Sequence, residues 1–116
     1  MMACKKARPL RFKVEKNTQP LTWHSVEGLV GQGGTILGTT NRLDPLQSEA
    51  SAQTAMAHAE ALGLDAVVAI GGDGTMTIAH GLAQRGLRVV GVPKTIDNDI
   101  EGCERSFGFD TAMATA

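Results

Sequence analysis

Three aspartates follow two apolar segments in the middle of the chain, and their spacing can bring them to one site. Asp73 lies in residues 71–75, which read GGDGT, and Asp97 and Asp99 lie in residues 93–99, which read PKTIDND. Phosphoryl transfer needs a cradle for an anionic donor, an acidic side chain for Mg²⁺ and a base beside the attacking hydroxyl. These two segments contain candidates for all three functions, so the pattern favours phosphoryl transfer.

The elements that must position these segments are two strands and a helix. Residues 65–70 are rich in β-branched side chains without polar alternation, which predicts a strand buried on both faces. Residues 88–92 predict a second strand, and residues 76–85 have the composition of a helix. Such a βαβ unit is right-handed with parallel strands, so both loops leave the same edge of the sheet. We expect both strands at the centre of the sheet and the three aspartates in one crevice.

The glycines of residues 71–75 predict an anion site. They allow a sharp turn and a close approach of the backbone to a ligand. The first amides of the following helix lack intrahelical partners and lie at the positive end of its dipole. Two simpler interpretations remain: Asp73 caps the helix in an ordinary turn, or residues 97–99 form an Asx turn without catalytic duty. The presence of both motifs in one βαβ unit disfavours these interpretations.

Four blocks of sequence together resemble the 6-phosphofructokinase family. They are GGTILGTTNR at 33–42, GGDGT at 71–75, PKTIDND at 93–99 and GFDTA at 108–112, and they follow the family's order and spacing. The GGDGT block is also similar to the phosphate loops of NAD kinases and diacylglycerol kinases, which stay open as an alternative. The PKTIDND block is what favours 6-phosphofructokinases. The resemblance covers roughly residues 22–116.

The resemblance implies transfer of a phosphoryl group from ATP to the 1-hydroxyl of fructose 6-phosphate, in glycolysis, with Mg²⁺ as the metal ion. On the donor side it implies that the amides of Gly72, Gly74 and Thr75 line the phosphates, and that Asp73 holds Mg²⁺. The family also carries an arginine that reaches the donor's phosphates. Arg42 is the candidate here, and a surface arginine beside a turn is the alternative.

On the acceptor side the resemblance implies roles for the residues of the PKTIDND block. Asp97 is the implied catalytic base, and Thr95 hydrogen-bonds the sugar or the transferred phosphoryl group. Asp99 supports the metal or orients the loop. Ile96 belongs to the substrate-binding segment, and Lys94 lies near the transferred group.

Two positions bear on the phosphoryl donor. Family members that use pyrophosphate usually have an aspartate at the fourth residue of the glycine loop, where this chain has Gly74. Lys94 resembles the pyrophosphate-dependent members, because bacterial ATP enzymes commonly have glycine at that position. Close backbone approach to phosphate tolerates no side chain, so Gly74 favours ATP. A pyrophosphate-dependent fructose 6-phosphate 1-phosphotransferase is the alternative.

Composition indicates a globular chain in the cytoplasm. Of the 116 residues 42% are hydrophobic and 20% charged, and no apolar run reaches the length of a membrane span. Cys4 and Cys103 have neither metal-binding nor disulfide-framework spacing. Six of the eleven lysines and arginines lie in residues 1–16. A basic head over 1–20 is expected to be poorly ordered, with no nucleic-acid or membrane partner.

Residues 21–116 are expected to form a partial phosphofructokinase domain of the α/β class, with an open, mostly parallel, Rossmann-like sheet. Its other predicted elements are helices over 22–30, 46–63 and 107–116 and a short strand within 33–42. We expect Thr22 to cap the first helix, and the packing residues to be Trp23, Ala50, Met56, Ala59 and Leu62. The resemblance implies a homo-oligomer for the full-length family. The short chain is expected to have little activity alone, and a non-catalytic truncated product is a further alternative.

Overall fold

The computed structural model describes residues 2–4 and 18–116, which form an α/β fold around a three-stranded sheet. In chain order the elements are β1 (Met2–Cys4), α1 (Trp23–Val26), α2 (Glu49–Ala61), β2 (Ala66–Gly71), α3 (Asp73–Gln84), β3 (Val89–Pro93) and α4 (Phe109–Thr115). The strand order is β1-β2-β3, with β1 antiparallel and β3 parallel to β2. The predicted α/β class and the open sheet with a parallel βαβ unit are therefore confirmed.

The unit of β2, α3 and β3 supplies much of the core. Val67 and Ala69 of β2 are buried, and Ala69 pairs in register with Gly91 of β3. Gly91 faces α3, because a Cβ atom there would lie 2.8 Å from the Met76 sulfur. Register partners share one face of a sheet, so this row of residues packs beneath α3.

The helix after β2 begins earlier than predicted. Its first residue is Asp73, whereas the sequence predicted a start at Met76. Both strands start and end one residue later than predicted, so Gly71 is the last residue of β2. The turn between strand and helix is therefore the single residue Gly72, and the rest of the GGDGT block forms the first turn of α3.

The prediction that β2 is buried on both faces is wrong for the described part of the chain. Ile70 lies on the face opposite Val67 and Ala69 and is 39% exposed, and Val90 of β3 is 59% exposed. The prediction that both strands lie at the centre of the sheet is wrong for β3, which is an edge strand of the sheet formed by the described residues. The described helices that pack on the sheet leave this second face uncovered.

The helix predicted over 46–63 is α2, which spans Glu49–Ala61. Ala52 and Ala59 are buried, and Met56 lies half-buried on the same stripe. Ala50 is exposed, so its predicted place in the core is wrong. It lies two residues from Ala52, which is roughly the opposite side of a helix with about 3.6 residues per turn.

Two contacts hold α2 and the segment before it against α3. Arg85, next to the end of α3, pairs with Glu49 at 3.0 Å between Nη2 and Oε2. Gly81 leaves room for Leu46, because a Cβ atom on Gly81 would collide with the Leu46 side chain. These two contacts anchor the start of α2 and the segment before it to the carboxyl-terminal half of α3.

The segment between residues 18 and 48 has little regular structure. Thr22 caps α1 as predicted, with its Oγ1 accepting the Ser25 N–H at 3.3 Å, but α1 is a single turn. Trp23 is 78% exposed, so its predicted packing role is wrong. No strand forms within 33–42. Short helices depend on tertiary packing for stability, and the described residues offer little to pack against this segment.

At the amino terminus, β1 pairs with β2 in a region where no strand was predicted. Residues 5–17, which hold most of the predicted basic head, lie outside the described residues. At the other end, α4 is shorter than the predicted helix and starts after Gly108, whose φ is +93°. Among the residues that the structure describes, no helix combines the length and the apolar character needed to cross a bilayer.

Candidate active site

The loops after β2 and β3 lie side by side at one edge of the sheet. The Lys94 N–H donates to the Gly71 carbonyl at 2.8 Å, which continues the parallel ladder beyond β3. A Cβ atom on Gly72 would lie 3.8 Å from the Lys94 carbonyl oxygen. The backbones of the glycine-rich segment and the PKTIDND segment are therefore in contact, as the predicted βαβ geometry requires.

The first turn of α3 presents backbone amides without a side-chain cap. Its N-cap is Gly72, and no hydrogen bond from a capping side chain is present, whereas Ser48 caps α2 by accepting the Ser51 N–H at 3.1 Å. Asp73 is the first helical residue, so the interpretation in which Asp73 caps the helix is wrong. The amides at the start of α3 can therefore bind an anion, with support from the helix dipole.

Two glycines of this segment differ in how much space surrounds them. A Cβ atom on Gly71 would collide with the Thr75 side chain, so only glycine allows Thr75 to pack against the end of β2. A Cβ atom on Gly74 would meet no atom within 4 Å. The space outside Gly74 is consequently open to a ligand.

Asp73 has a carboxylate that suits a metal ion shared with a phosphate ligand. The side chain is exposed and makes no hydrogen bond or ion pair with a described residue. Mg²⁺ commonly takes one or two carboxylates together with phosphate oxygens and water. Across residues 18–116 no three His, Cys, Asp or Glu side chains are grouped to hold a metal, so the three aspartates form no preformed cluster. A metal at Asp73 would depend on the donor's phosphates for further ligands.

The two aspartates of the second loop have different surroundings. Thr95 Oγ1 donates to Asp99 Oδ1 at 3.1 Å and accepts the Asp97 N–H at 3.2 Å. The Asp97 side chain is exposed, and its carboxylate makes no hydrogen bond or ion pair with a described residue. Asp97 is thus free to contact a substrate, whereas Asp99 fixes the orientation of Thr95.

Sequence reasoning missed two residues that shape this loop, Asn98 and Ser106. Asn98 has a φ of +53° and is the one non-glycine residue with positive φ in the described chain. Its Oδ1 accepts the Ser106 N–H at 2.8 Å. The preference of asparagine for the left-handed region is a signal that the sequence carries. Nothing local to Ser106 indicates its partner.

Residues 106–108 run along the outer side of β3. The Phe107 N–H donates to the Pro93 carbonyl and the Phe107 carbonyl accepts the Thr95 N–H, both at 3.0 Å. A Cβ atom on Gly108 would lie 3.5 Å from Lys94 Cε, so the aliphatic stem of Lys94 passes over Gly108. This segment therefore supports the start of the PKTIDND loop from its outer side.

Two further candidates lie in exposed positions. Ile96 is exposed between Thr95 and Asp97, at the surface of the loop. Arg42 lies in an exposed bend, where its N–H donates to Thr40 Oγ1 at 3.1 Å. Its guanidinium makes no hydrogen bond or ion pair with a described residue. The assignment of Arg42 to the donor's phosphates stays a prediction.

Comparison with known proteins identifies similar sequences. A family model described as phosphofructokinase matches residues 8–116. The chain is 49% identical over 92 residues to ATP-dependent 6-phosphofructokinase 3 of Streptomyces coelicolor, covering 79% of this chain and 27% of that protein. It is 46% identical over 108 residues to ATP-dependent 6-phosphofructokinase of Chloroflexus aurantiacus, covering 87% and 30%. It is also 41% identical over 100 residues to pyrophosphate–fructose 6-phosphate 1-phosphotransferase of Dictyoglomus thermophilum, covering 86% and 29%.

The chain thus spans less than a third of the length of each of these relatives. The matched range nevertheless contains both loops and the helix between them. The match favours phosphofructokinases over the NAD-kinase and lipid-kinase alternatives. The family model covers nearly the whole chain, and relatives with 6-phosphofructokinase names are 46% and 49% identical to it over the aligned residues. This chain therefore belongs to the phosphofructokinase family.

Proposed function

We propose that this chain carries the donor and acceptor loops of an ATP-dependent 6-phosphofructokinase, which forms fructose 1,6-bisphosphate from fructose 6-phosphate. The observation that carries the proposal is the contact between the two loops through the Lys94 N–H and the Gly71 carbonyl at 2.8 Å. It sets the start of α3, which has no side-chain cap, beside a loop in which the Asp97 carboxylate has no partner among the described residues. Phosphoryl transfer uses such a pair, since it depends on positioning and on electrostatic stabilisation of the transferred group.

On the donor side, the amides of Gly72, Gly74 and Thr75 bind the phosphates of ATP at the start of α3. Asp73 holds Mg²⁺, which when bound neutralises charge that develops on the transferred phosphoryl group. In this proposal the exposed, positively charged guanidinium of Arg42 binds the donor's phosphates. Backbone amides suit this task because they are fixed by the helix and need no reorganisation during the reaction.

On the acceptor side, Asp97 accepts the proton of the 1-hydroxyl of fructose 6-phosphate. Its free carboxylate supports this role, because a general base must have a lone pair available to the reacting hydroxyl. A weakly basic carboxylate suffices where the transition state is loose and depends more on charge neutralisation than on deprotonation. Ile96 provides apolar contact to the sugar, and Lys94 lies near the transferred group.

The hydrogen bonds of Thr95 indicate how it contacts the substrate. Its hydroxyl hydrogen is donated to Asp99, and one of its two lone pairs accepts the Asp97 N–H. One lone pair remains, and it can accept a hydrogen bond but cannot donate one. We therefore assign Thr95 to a sugar hydroxyl, which can donate, in preference to a phosphoryl oxygen, which cannot.

ATP is the proposed donor, with pyrophosphate as the second candidate. The open space outside Gly74 supports ATP, because the α-phosphate and nucleoside need room there. Lys94 supports pyrophosphate, since a lysine there resembles the pyrophosphate-dependent members. The proposal extends to a homo-oligomeric enzyme of the cytoplasm that acts on small molecules, without nucleic acid or membrane.

The test is a coupled assay on the complete enzyme that contains these residues. Fructose 1,6-bisphosphate formation is measured with ATP and then with pyrophosphate, at saturating fructose 6-phosphate, with and without Mg²⁺. We expect Mg²⁺-dependent turnover with ATP. Phosphorylation of NAD or of a lipid, without phosphorylation of fructose 6-phosphate, would contradict the proposal.

A further inference from the structure

We propose that Ser106 and Asn98 form a clamp that positions the Asp97 carboxylate for catalysis. The proposal rests on the proposed function of the loop at 95–99. Both are positioning residues, because their polar atoms are engaged with the protein.

The Asn98 side chain pairs with the backbone of residues 104–106 at both ends of its amide. Oδ1 accepts the Ser106 N–H at 2.8 Å, and Nδ2 donates to the Glu104 carbonyl at 3.4 Å. An asparagine side chain has an acceptor and donors in one plane and so matches a peptide group. It also tolerates the observed φ of +53°, which most side chains disfavour. Asparagine satisfies both requirements at this position.

Ser106 connects this turn to the start of the loop. It is 3% exposed, and its Oγ lies 3.2 Å from both the Thr95 carbonyl oxygen and Asn98 Oδ1. Its single hydroxyl hydrogen is shared between these two acceptors. A buried hydroxyl of this kind is costly to leave unpaired, so Ser106 restrains residues 95 and 98 together.

Asp97 lies between the two restrained residues. Its carboxylate has no described partner, so the position of this side chain depends on the backbone on either side. The Thr95 carbonyl and the Asn98 side chain are both held by Ser106. Loosening the clamp should therefore misplace the base while leaving most substrate contacts intact.

The test compares Ser106→Ala, Ser106→Thr and Asn98→Gly in the complete enzyme. Ser106→Ala removes the hydroxyl, and we expect kcat to fall by about 10- to 100-fold with KM values for ATP and fructose 6-phosphate changed by less than about threefold. Ser106→Thr keeps the hydroxyl, and we expect kcat within about threefold of the original enzyme. Asn98→Gly permits the positive φ but lacks the amide, so it isolates the clamp from backbone strain. We expect it to match Ser106→Ala.

Amide hydrogen exchange gives a readout that does not require activity. In Asn98→Gly the amide of residue 106 loses its acceptor, so its exchange should accelerate by about tenfold or more while the amides of α3 stay unchanged. The proposal is overturned if Ser106→Ala and Asn98→Gly keep kcat within about twofold, or if Ser106→Thr is as impaired as Ser106→Ala. It is also overturned if exchange at residue 106 is unchanged. An original enzyme inactive on fructose 6-phosphate would contradict the proposed function, and the exchange result would still decide whether the clamp holds the loop.

Discussion

Thr95 donates its hydroxyl hydrogen to the Asp99 carboxylate across 3.1 Å, within the same loop. This bond distinguishes two aspartates that stand only two residues apart. The Asp99 carboxylate accepts a hydrogen bond from Thr95, whereas the Asp97 carboxylate makes no hydrogen bond or ion pair with a described residue. The loop therefore contains one carboxylate that bonds Thr95 and one that has no partner among the described residues.

Replacing Asp97 with serine should reduce turnover by about 10²- to 10⁴-fold, because in the proposed mechanism this carboxylate accepts the proton of the reacting hydroxyl. Substrate binding should change little, since a proposed base contributes mainly in the transition state. Steady-state kcat and KM of the complete enzyme are the measurements. Glu101→Gln is a matched control, because Glu101 is an exposed carboxylate two residues beyond the loop. A serine variant that keeps a tenth of the original turnover would remove Asp97 from the role of base.

Two variants of Asp99 separate an orienting role from a metal-binding role. Asp99→Asn keeps an oxygen that accepts the Thr95 hydroxyl, so we expect kcat within about threefold of the original. Asp99→Ala leaves Thr95 without its acceptor, and we expect a loss of about tenfold or more. Measuring kcat as a function of Mg²⁺ concentration tests whether Asp99 binds the metal. Equal loss in both variants, with a raised Mg²⁺ requirement, would indicate a metal ligand.

Gly74→Asp should weaken the use of ATP and spare or improve the use of pyrophosphate. The new carboxylate would occupy the open space beside the helix start and repel the α-phosphate of the nucleotide. Gly74→Ala is the matched control, because it adds a side chain without charge. The measurements are kcat/KM for ATP and for pyrophosphate in all three proteins. Unchanged ATP kinetics in Gly74→Asp would show that this space does not hold the α-phosphate.

Gly71→Ala should destabilise the fold, because its Cβ atom would collide with the Thr75 side chain. Overpacking of this kind costs about 1–3 kcal/mol of unfolding free energy. Gly74→Ala meets no atom within 4 Å, and it should be neutral or slightly stabilising. Urea unfolding of the two variants beside the original protein measures the difference. Equal midpoints for the two alanine variants would contradict the packing at Gly71.

The chain of 116 residues alone should show little phosphofructokinase activity and should self-associate. Ile70 and Val90 expose apolar surface on the sheet, and β3 is an edge strand, which favours pairing with another chain. A coupled assay and sedimentation of the purified chain are the measurements. A monodisperse monomer that turns over at roughly 1 to 10³ per second would contradict this prediction.

Much of the fold followed from local patterns in the sequence. The apolar runs and the glycines between them predicted β2 and β3 to within one residue of their observed limits. Their parallel pairing followed from the βαβ pattern, and the four sequence blocks predicted the family. These features depend on residues close together in the chain, which is why periodicity and turn chemistry reveal them.

Other features depended on contacts between residues that are distant in sequence. Trp23 has an apolar side chain at a helical position, yet nothing in the described structure covers it. Ala52, which local spacing left out of the core, is buried.

In the candidate site, too, some features could be predicted from the sequence and others depended on tertiary contacts. The sequence alone determined which side chains can do chemistry there and that both loops leave one edge of the sheet, because these follow from residue type and the βαβ unit. Only the tertiary structure decided that Asp99, and not Asp97, is the carboxylate that bonds Thr95. It also decided that Ser106, eight residues beyond Asn98, donates its N–H to the Asn98 side chain between the two aspartates. The reason is physical: the left-handed backbone at Asn98 and the burial of Ser106 arise when the segment at 104–108 packs along the end of β3.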